Sequence, residues 1–159
     1  MVQLYSKKEG HTMADTEERV FSITTTGEEK TSALVKRGKY DWTDGAIGDE
    51  LFPIAPHEPE EREIVLISFD EHDPTSEDVL AEFEKRGLER PTTEDALVFG
   101  VTYPDEQKKA PIVFFHEPVR VRGGRRVLVL RGYARLRCLY LFWFGARWLR
   151  RCDFAAVRK

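Results

Sequence analysis

The sequence is short of most features that announce a chemistry. Two cysteines, Cys138 and Cys152, occur in 159 residues, too few for a disulfide framework and without the close pairing of a structural zinc site. Free thiols are expected in place of a bridge. The longest apolar run, Leu139 to Phe144, falls far short of the roughly 20 residues that cross a bilayer, and the opening "MVQLYSKKEG" lacks the apolar segment of a secretory signal. A soluble chain with no membrane span is expected. The glycines of "RGGRR" fit neither a phosphate loop nor a dinucleotide fingerprint and read as a hairpin turn. No nucleophile signature accompanies His116 in "FFHEP", which is expected to be a hydrogen-bonded residue at a strand end. "FDEHD", Phe69 to Asp73, crowds carboxylates around His72, but without a second cluster it reads as a solvated loop, with Asp73 before Pro74 opening a turn. "DWTDGAIGDE" lacks the spacing of a helix–loop–helix calcium site. No catalytic residue, metal or cofactor is expected, and the chain is read as a non-enzyme.

Acid is also missing, in one place. Residues 118–159 hold 12 Lys and Arg against the single Asp153, a balance of +11, whereas residues 1–117 hold 13 against 27, a balance of −14. Such asymmetry marks either a nucleic-acid-binding segment or two parts that neutralise one another within one fold. The basic part is rich in aliphatic and aromatic residues, so it is expected to fold with the body of the chain.

With 41% hydrophobic and 11% aromatic residues, the chain can bury the core of one domain. Residues 1–17 are polar and irregular, a flexible N-terminus, and 18–159 form the domain. "RVFSITTTG" reads as a strand closed by Gly27, and a short strand or turn is expected near Leu34. "REIVLISF", residues 62–69, is a buried strand. A helix follows, capped by Thr75 or Ser76, with Val79, Leu80 and Phe83 inward and Gly87 as its stop. A second starts after Pro91, capped by Thr92 or Thr93, and ends before Pro104. "PIVFF", "RRVLVL", the stretch from Arg137 and "FAAV" are four strands. Helices early and strands late predict an α+β class.

The stretch "CLYLFWF" is apolar on both parities: Cys138, Tyr140, Phe142 and Phe144 on one, Leu139, Leu141 and Trp143 on the other. A strand of this kind is either sandwiched in the core or displays its outer face to a partner. A second absence bears on the choice. Residues 119–158, forty in a row, contain no Lys, Glu, Gln or Met, although all four occur earlier and Lys and Glu are among the commonest residues in globular proteins. A genome-wide preference for Arg over Lys would not respect that boundary.

On "LYLFWFGARW", "FAAVRK" and this restricted alphabet, the chain resembles the variable proteins of diversity-generating retroelements. Their C-terminal part has a C-type lectin-like fold and is rewritten by adenine-directed mutagenic reverse transcription. Template asparagine codons there become NNY codons, from which Lys, Glu, Gln, Met and Trp are inaccessible. The resemblance implies a single C-type lectin-like domain with two short helices and an antiparallel sheet, a variable region at about 131–153, and first and last strands brought together. Phe21 to Thr25 would then pair antiparallel with Phe154 to Val157. It also implies that Leu139, Leu141, Trp143, Trp148 and Phe154 are buried scaffold. The ligand-binding positions would be Tyr133, Leu136, Cys138, Tyr140, Phe142, Phe144, Ala146, Leu149 and Arg151. The function so implied is non-enzymatic display of a variable surface to a macromolecular ligand, a protein above all, in a chain that is cytoplasmic or carried on a virus-like particle. The alternative is a nucleic-acid-binding module using the basic, aromatic C-terminal segment.

Overall fold

Two helices begin where the sequence supplies their caps. Thr75 Oγ1 accepts from Asp78 N at 3.1 Å while Thr75 N donates to the Asp78 carboxylate at 2.9 Å. Thr92 and Asp95 repeat the arrangement at 3.0 and 2.8 Å. These reciprocal capping boxes satisfy backbone donors that a helix start leaves open. The computed structural model describes residues 3–6, as backbone, and 18–159. Its elements run β1 (Gln3–Ser6), β2 (Glu18–Thr25), α1 (Thr31–Gly38), β3 (Trp42–Thr43), β4 (Glu60–Ser68), α2 (Ser76–Lys85), β5 (Leu88–Glu89), α3 (Thr93–Thr102), β6 (Ile112–Phe114), β7 (Val119–Val121), β8 (Gly124–Tyr133), β9 (Leu136–Trp143) and β10 (Asp153–Arg158). The class is α+β. Among the described residues no helix is long and apolar enough to cross a membrane.

One mostly antiparallel sheet joins the strands in the order β1-β2-β4-β10-β6-β8-β9-β3, with β5 beside β10 and β7 beside β8. The pairs β6 with β10 and β3 with β9 are parallel. Arg122 and Gly123 connect β7 to β8 with φ of 49° and 79°, the left-handed pair of a two-residue hairpin turn, as "RGGRR" predicts. Helices cover both faces. Ile64, Leu66, Leu128, Leu130 and Leu139 face Leu34 of α1 and Leu97 and Phe99 of α3. The alternate residues Val65, Ile67, Val127 and Val129 face Val79 and Phe83 of α2. Two-sided cover explains why the central strands are apolar at consecutive positions.

Three expectations need correction. The turn or strand predicted near Leu34 is the helix α1, which starts at Lys30 without a side-chain cap and stops at Lys39 in the left-handed conformation, not at a glycine. The two expected helices are therefore three. The strand around Phe21 does not pair with the one around Phe154. Strand β4 lies between them, antiparallel to both, so β2 and β10 run parallel on its two sides. Within the segment predicted to be loose, Gln3–Ser6 pairs antiparallel with β2; residues 1–2 and 7–17 lie outside the described residues.

Strand β9 is fixed to the helical layer by Arg137. This buried side chain donates to the carbonyl oxygens of Gly38 at the end of α1, Gly100 in α3 at 2.8 Å and Pro104 at 2.8 Å, and to Gln107 Oε1 at 3.1 Å. Its backbone N–H donates to the Asp41 carboxylate at 2.7 Å. A buried cation is thus held by main-chain dipoles and one amide.

Candidate recognition surface

The β8–β9 hairpin pairs Tyr133 with Leu136, Arg131 with Cys138, Val129 with Tyr140 and Val127 with Phe142. These residues share the face that looks toward α2, since side chains alternate along a strand. The valines are buried in the core. Outward from them the cover thins: Cys138 and Tyr140 are half-buried, Phe142 is 41% exposed, and Leu136 and Tyr133 at the hairpin tip are 46% and 68% exposed. The parallel register of β3 sets Trp42, 55% exposed, level with Cys138 on the same face. Sequence reasoning missed Trp42, because a two-residue strand carries no periodicity and its partner lies far along the chain.

Beyond β9 the chain folds back against α2. Phe144 N donates to Arg125 O at 2.8 Å, and the ring turns inward to meet Phe115 at 5.4 Å, with the guanidinium groups of Arg90 and Arg125 5.7 and 5.3 Å from its centre. Phe144 was expected on the exposed face and is buried, because β9 ends at Trp143 and the period of two ends with it. Trp143, expected as buried scaffold, is 57% exposed. It lies two residues past Leu141, the last side chain of β9 in the core, with its indole folded over Gly145, where a Cβ would come within 3.2 Å of the ring.

Trp148 fills the core place instead, together with Leu139, Leu141 and Phe154, all buried as expected. Its Nε1–H donates to Ser76 Oγ at 3.0 Å, its backbone N–H to Pro74 O at 2.8 Å, and its ring lies tilted against Phe142, 5.2 Å between centres. Ser76 Oγ in turn donates to Phe144 O at 2.5 Å, and Arg150 N donates to Asp73 Oδ1 at 2.9 Å. The loop is thereby docked on the first turn of α2. Leu149 and Arg151 are exposed and Ala146 is half-buried.

Of the nine positions proposed from sequence, five are exposed, three half-buried and one, Phe144, is core. Tyr140, Phe142, Leu149 and Arg151 meet around an open groove of about 120 Å³ floored by Trp148 and flanked by Arg131 and Arg147. Tyr133, Leu136 and Cys138 continue the same hairpin face toward its tip.

The polar residues of the other sequence motifs hold the fold. His116 is buried, with Nδ1 2.8 Å from Glu117 O and Nε2 accepting from Leu128 N at 2.9 Å; burial pushes its pKa down to about 4. It is a hydrogen-bonded residue beyond β6, as predicted. In "DWTDGAIGDE", Asp44 accepts both arms of Arg122 at 3.2 and 2.8 Å, and Asp49 accepts from the backbone and hydroxyl of Ser32 in α1. His57, beside a cavity of about 400 Å³, has both ring nitrogens occupied, by Glu94 and by Glu58 O, each at 2.6 Å. Among the described residues no group of three or more His, Cys, Asp or Glu is placed to hold a metal. Both cysteines are free, and burial raises the pKa of the Cys152 thiol.

No family model, curated protein or solved structure matches the chain.

Proposed function

We propose that the protein is a non-enzymatic display protein of the kind its C-terminal sequence resembles, a C-type lectin-like scaffold presenting the β8–β9 hairpin face and the loop after it to a macromolecular ligand. One observation carries this reading. Eight of the nine positions drawn from a restricted alphabet, all but Phe144, are exposed or half-buried, while of the four scaffold residues set among them Leu139, Leu141 and Trp148 are core and Trp143 alone is exposed. An exposed face bearing Tyr133, Leu136, Phe142 and Leu149 is unusual without a partner to cover it. Tyrosine and phenylalanine give large contact area for little side-chain entropy.

The topology supports the lectin-like part in modified form. Strand β4 precedes the two capped helices α2 and α3, and the last strand returns antiparallel beside it, although the pairing first expected of β2 is absent. The nucleic-acid alternative is weakened by what the arginines already do: Arg137 is buried, Arg122 is paired with Asp44, and Arg158 lies 3.6 Å from Glu63.

The test is the DNA beside the gene. A near-copy of the codons for residues 131–153 is expected next to a reverse transcriptase gene, with adenines at the codons of the eight surface positions. Sibling genes should differ at those codons and agree at Leu139, Leu141 and Trp148. Absence of such a copy, or variation scattered through the core codons, overturns the reading.

A further inference from the structure

Small-molecule sites enclose roughly 300–1,000 Å³. The groove between Tyr140, Phe142 and Leu149 encloses about 120 Å³ and is open along one side, a size that admits a single protruding side chain. Its floor is apolar, Trp148 with Val113 and Val129, all buried. Its margin is cationic: Arg131, Arg147 and Arg151 flank it, and no carboxylate belongs to its lining. The chain carries 28 acidic residues, yet among the described residues no salt bridge engages these three arginines, and Arg147 donates only to the Asp73 carbonyl at 2.8 Å.

The same groove disfavours nucleic acid. Base stacking needs open ring faces, and here the rings are turned on one another: Tyr140 meets Phe142 edge-on, at 6.3 Å and 85°, and Phe142 leans on Trp148. What remains is a notch, not a platform. Away from the groove the protein is net negative, which opposes the approach of a long polyanion.

From the apolar floor and the unpaired cationic margin we infer that this face binds an acidic peptide segment of a protein partner, which inserts one aliphatic or aromatic side chain over Trp148 and sets carboxylates against Arg131, Arg147 and Arg151. Arginine is suited to the margin because its planar fork holds a carboxylate by two parallel hydrogen bonds. Trp, Tyr and Arg, the residue types in which interface hot spots are enriched, all line this groove. The inference rests on the display reading and adds the chemistry of the ligand to it.

The experiment selects random dodecapeptides displayed on phage against the intact protein, with counter-selection on a Phe142→Ser, Leu149→Ser variant that retains a cooperative thermal transition. Selected peptides are expected to place Asp and Glu on both sides of one large apolar residue. A synthetic member should lose affinity about tenfold or more on Arg131→Gln with Arg151→Gln, or when its acids become amides, as loss of charge-assisted contacts requires. Its binding should shift the amide resonances of Tyr140, Phe142 and Leu149. Peptides that need this face but show no enrichment in acids overturn the inference and leave the display reading standing. Peptides that bind equally well to the counter-selection variant count against both. A single-stranded oligothymidylate that binds the same face more tightly than any selected peptide replaces the inference with the nucleic-acid reading.

Discussion

The guanidinium of Arg137 stands 4.6 Å from the centre of the Tyr40 ring, so a cation on β9 caps an aromatic from the segment after α1 while its hydrogen bonds run to α1 and α3. Burial pushes the Tyr40 pKa up to about 12, against the downward pull of Arg137. The hydroxyl sits over Gly100, where a Cβ would lie 1.9 Å from the oxygen. This packing ties the β8–β9 hairpin to the helical layer. Arg137→Met should destabilise by about 3 kcal/mol or more, because several buried carbonyl groups lose a charged donor. Arg137→Lys should recover less than half of that, since an ammonium cannot reproduce the planar fork. Urea denaturation of both variants checks the order.

Gly100→Ala should cost about 1–3 kcal/mol by overpacking, and Tyr40→Phe should restore part of the loss by removing the nearest atom. A double-mutant cycle with no coupling between the two positions would refute this contact.

The two C-terminal tryptophans should behave oppositely. Trp148→Ala should cost about 3–5 kcal/mol, as truncation of a large core residue does. Trp143→Ala should cost less than about 1 kcal/mol, in line with exposed positions. Thermal melts of the two proteins separate the cases directly.

Exchanging Tyr133, Leu136, Phe142, Leu149 and Arg151 together for Ser should leave a cooperative transition within a few degrees of the wild type, because exposed positions contribute little to stability. Adding Phe144→Ser should abolish cooperative folding or lower its midpoint steeply, since it opens a cavity beside Phe115 and leaves a buried hydroxyl. Near-ultraviolet circular dichroism reports both outcomes.

His116 should make stability depend on pH below neutrality. Its folded pKa, about 4, lies below the unfolded value of 6.5, so between these values the unfolded chain binds the extra proton. Stability is therefore full above about pH 6.5, falls as the pH drops through that window and levels off below 4, a loss of about 3 kcal/mol for a shift of this size. Protonation would also put an N–H at Nε2 against the Leu128 N–H it now accepts from. His116→Gln should flatten that part of the profile, measured as unfolding free energy against pH relative to wild type.

Local signals in the sequence were legible where a few neighbouring residues carry the physics. Thr75 with Asp78, Thr92 with Asp95, and the Arg122–Gly123 turn each declare themselves within four residues. Helix α1 does not, because its N-cap Lys30 offers no capping side chain and the left-handed residue that ends it is Lys39, one past Gly38. The alternation of β9 is right from Cys138 to Phe142 and fails at Trp143 and Phe144, since periodicity does not mark where a strand stops. Which strand lies beside β10 was hidden for another reason. Both β2 and β4 are apolar enough, and the choice rests on pairing between distant segments. The groove was half visible: the sequence picked out Tyr140, Phe142, Leu149 and Arg151 as surface and Trp148 as buried, but that Trp148 floors a groove between them, with Arg131 and Arg147 at its sides and Trp42 beside Cys138, emerges only when the hairpin, the loop and β3 are assembled.

The main chain of the loop after β9 is held to α2 and the turn before it through Trp148 N to Pro74 O, Arg150 N to Asp73 and Phe144 O to Ser76. On the loop's side each of these is a main-chain atom, which every residue but proline supplies alike. Ala146, Leu149 and Arg151 are therefore spectators to the docking of their own segment. Substitution at Ala146, Leu149 or Arg151 therefore leaves these main-chain contacts in place, so it changes the chemistry of the surface on a constant outline.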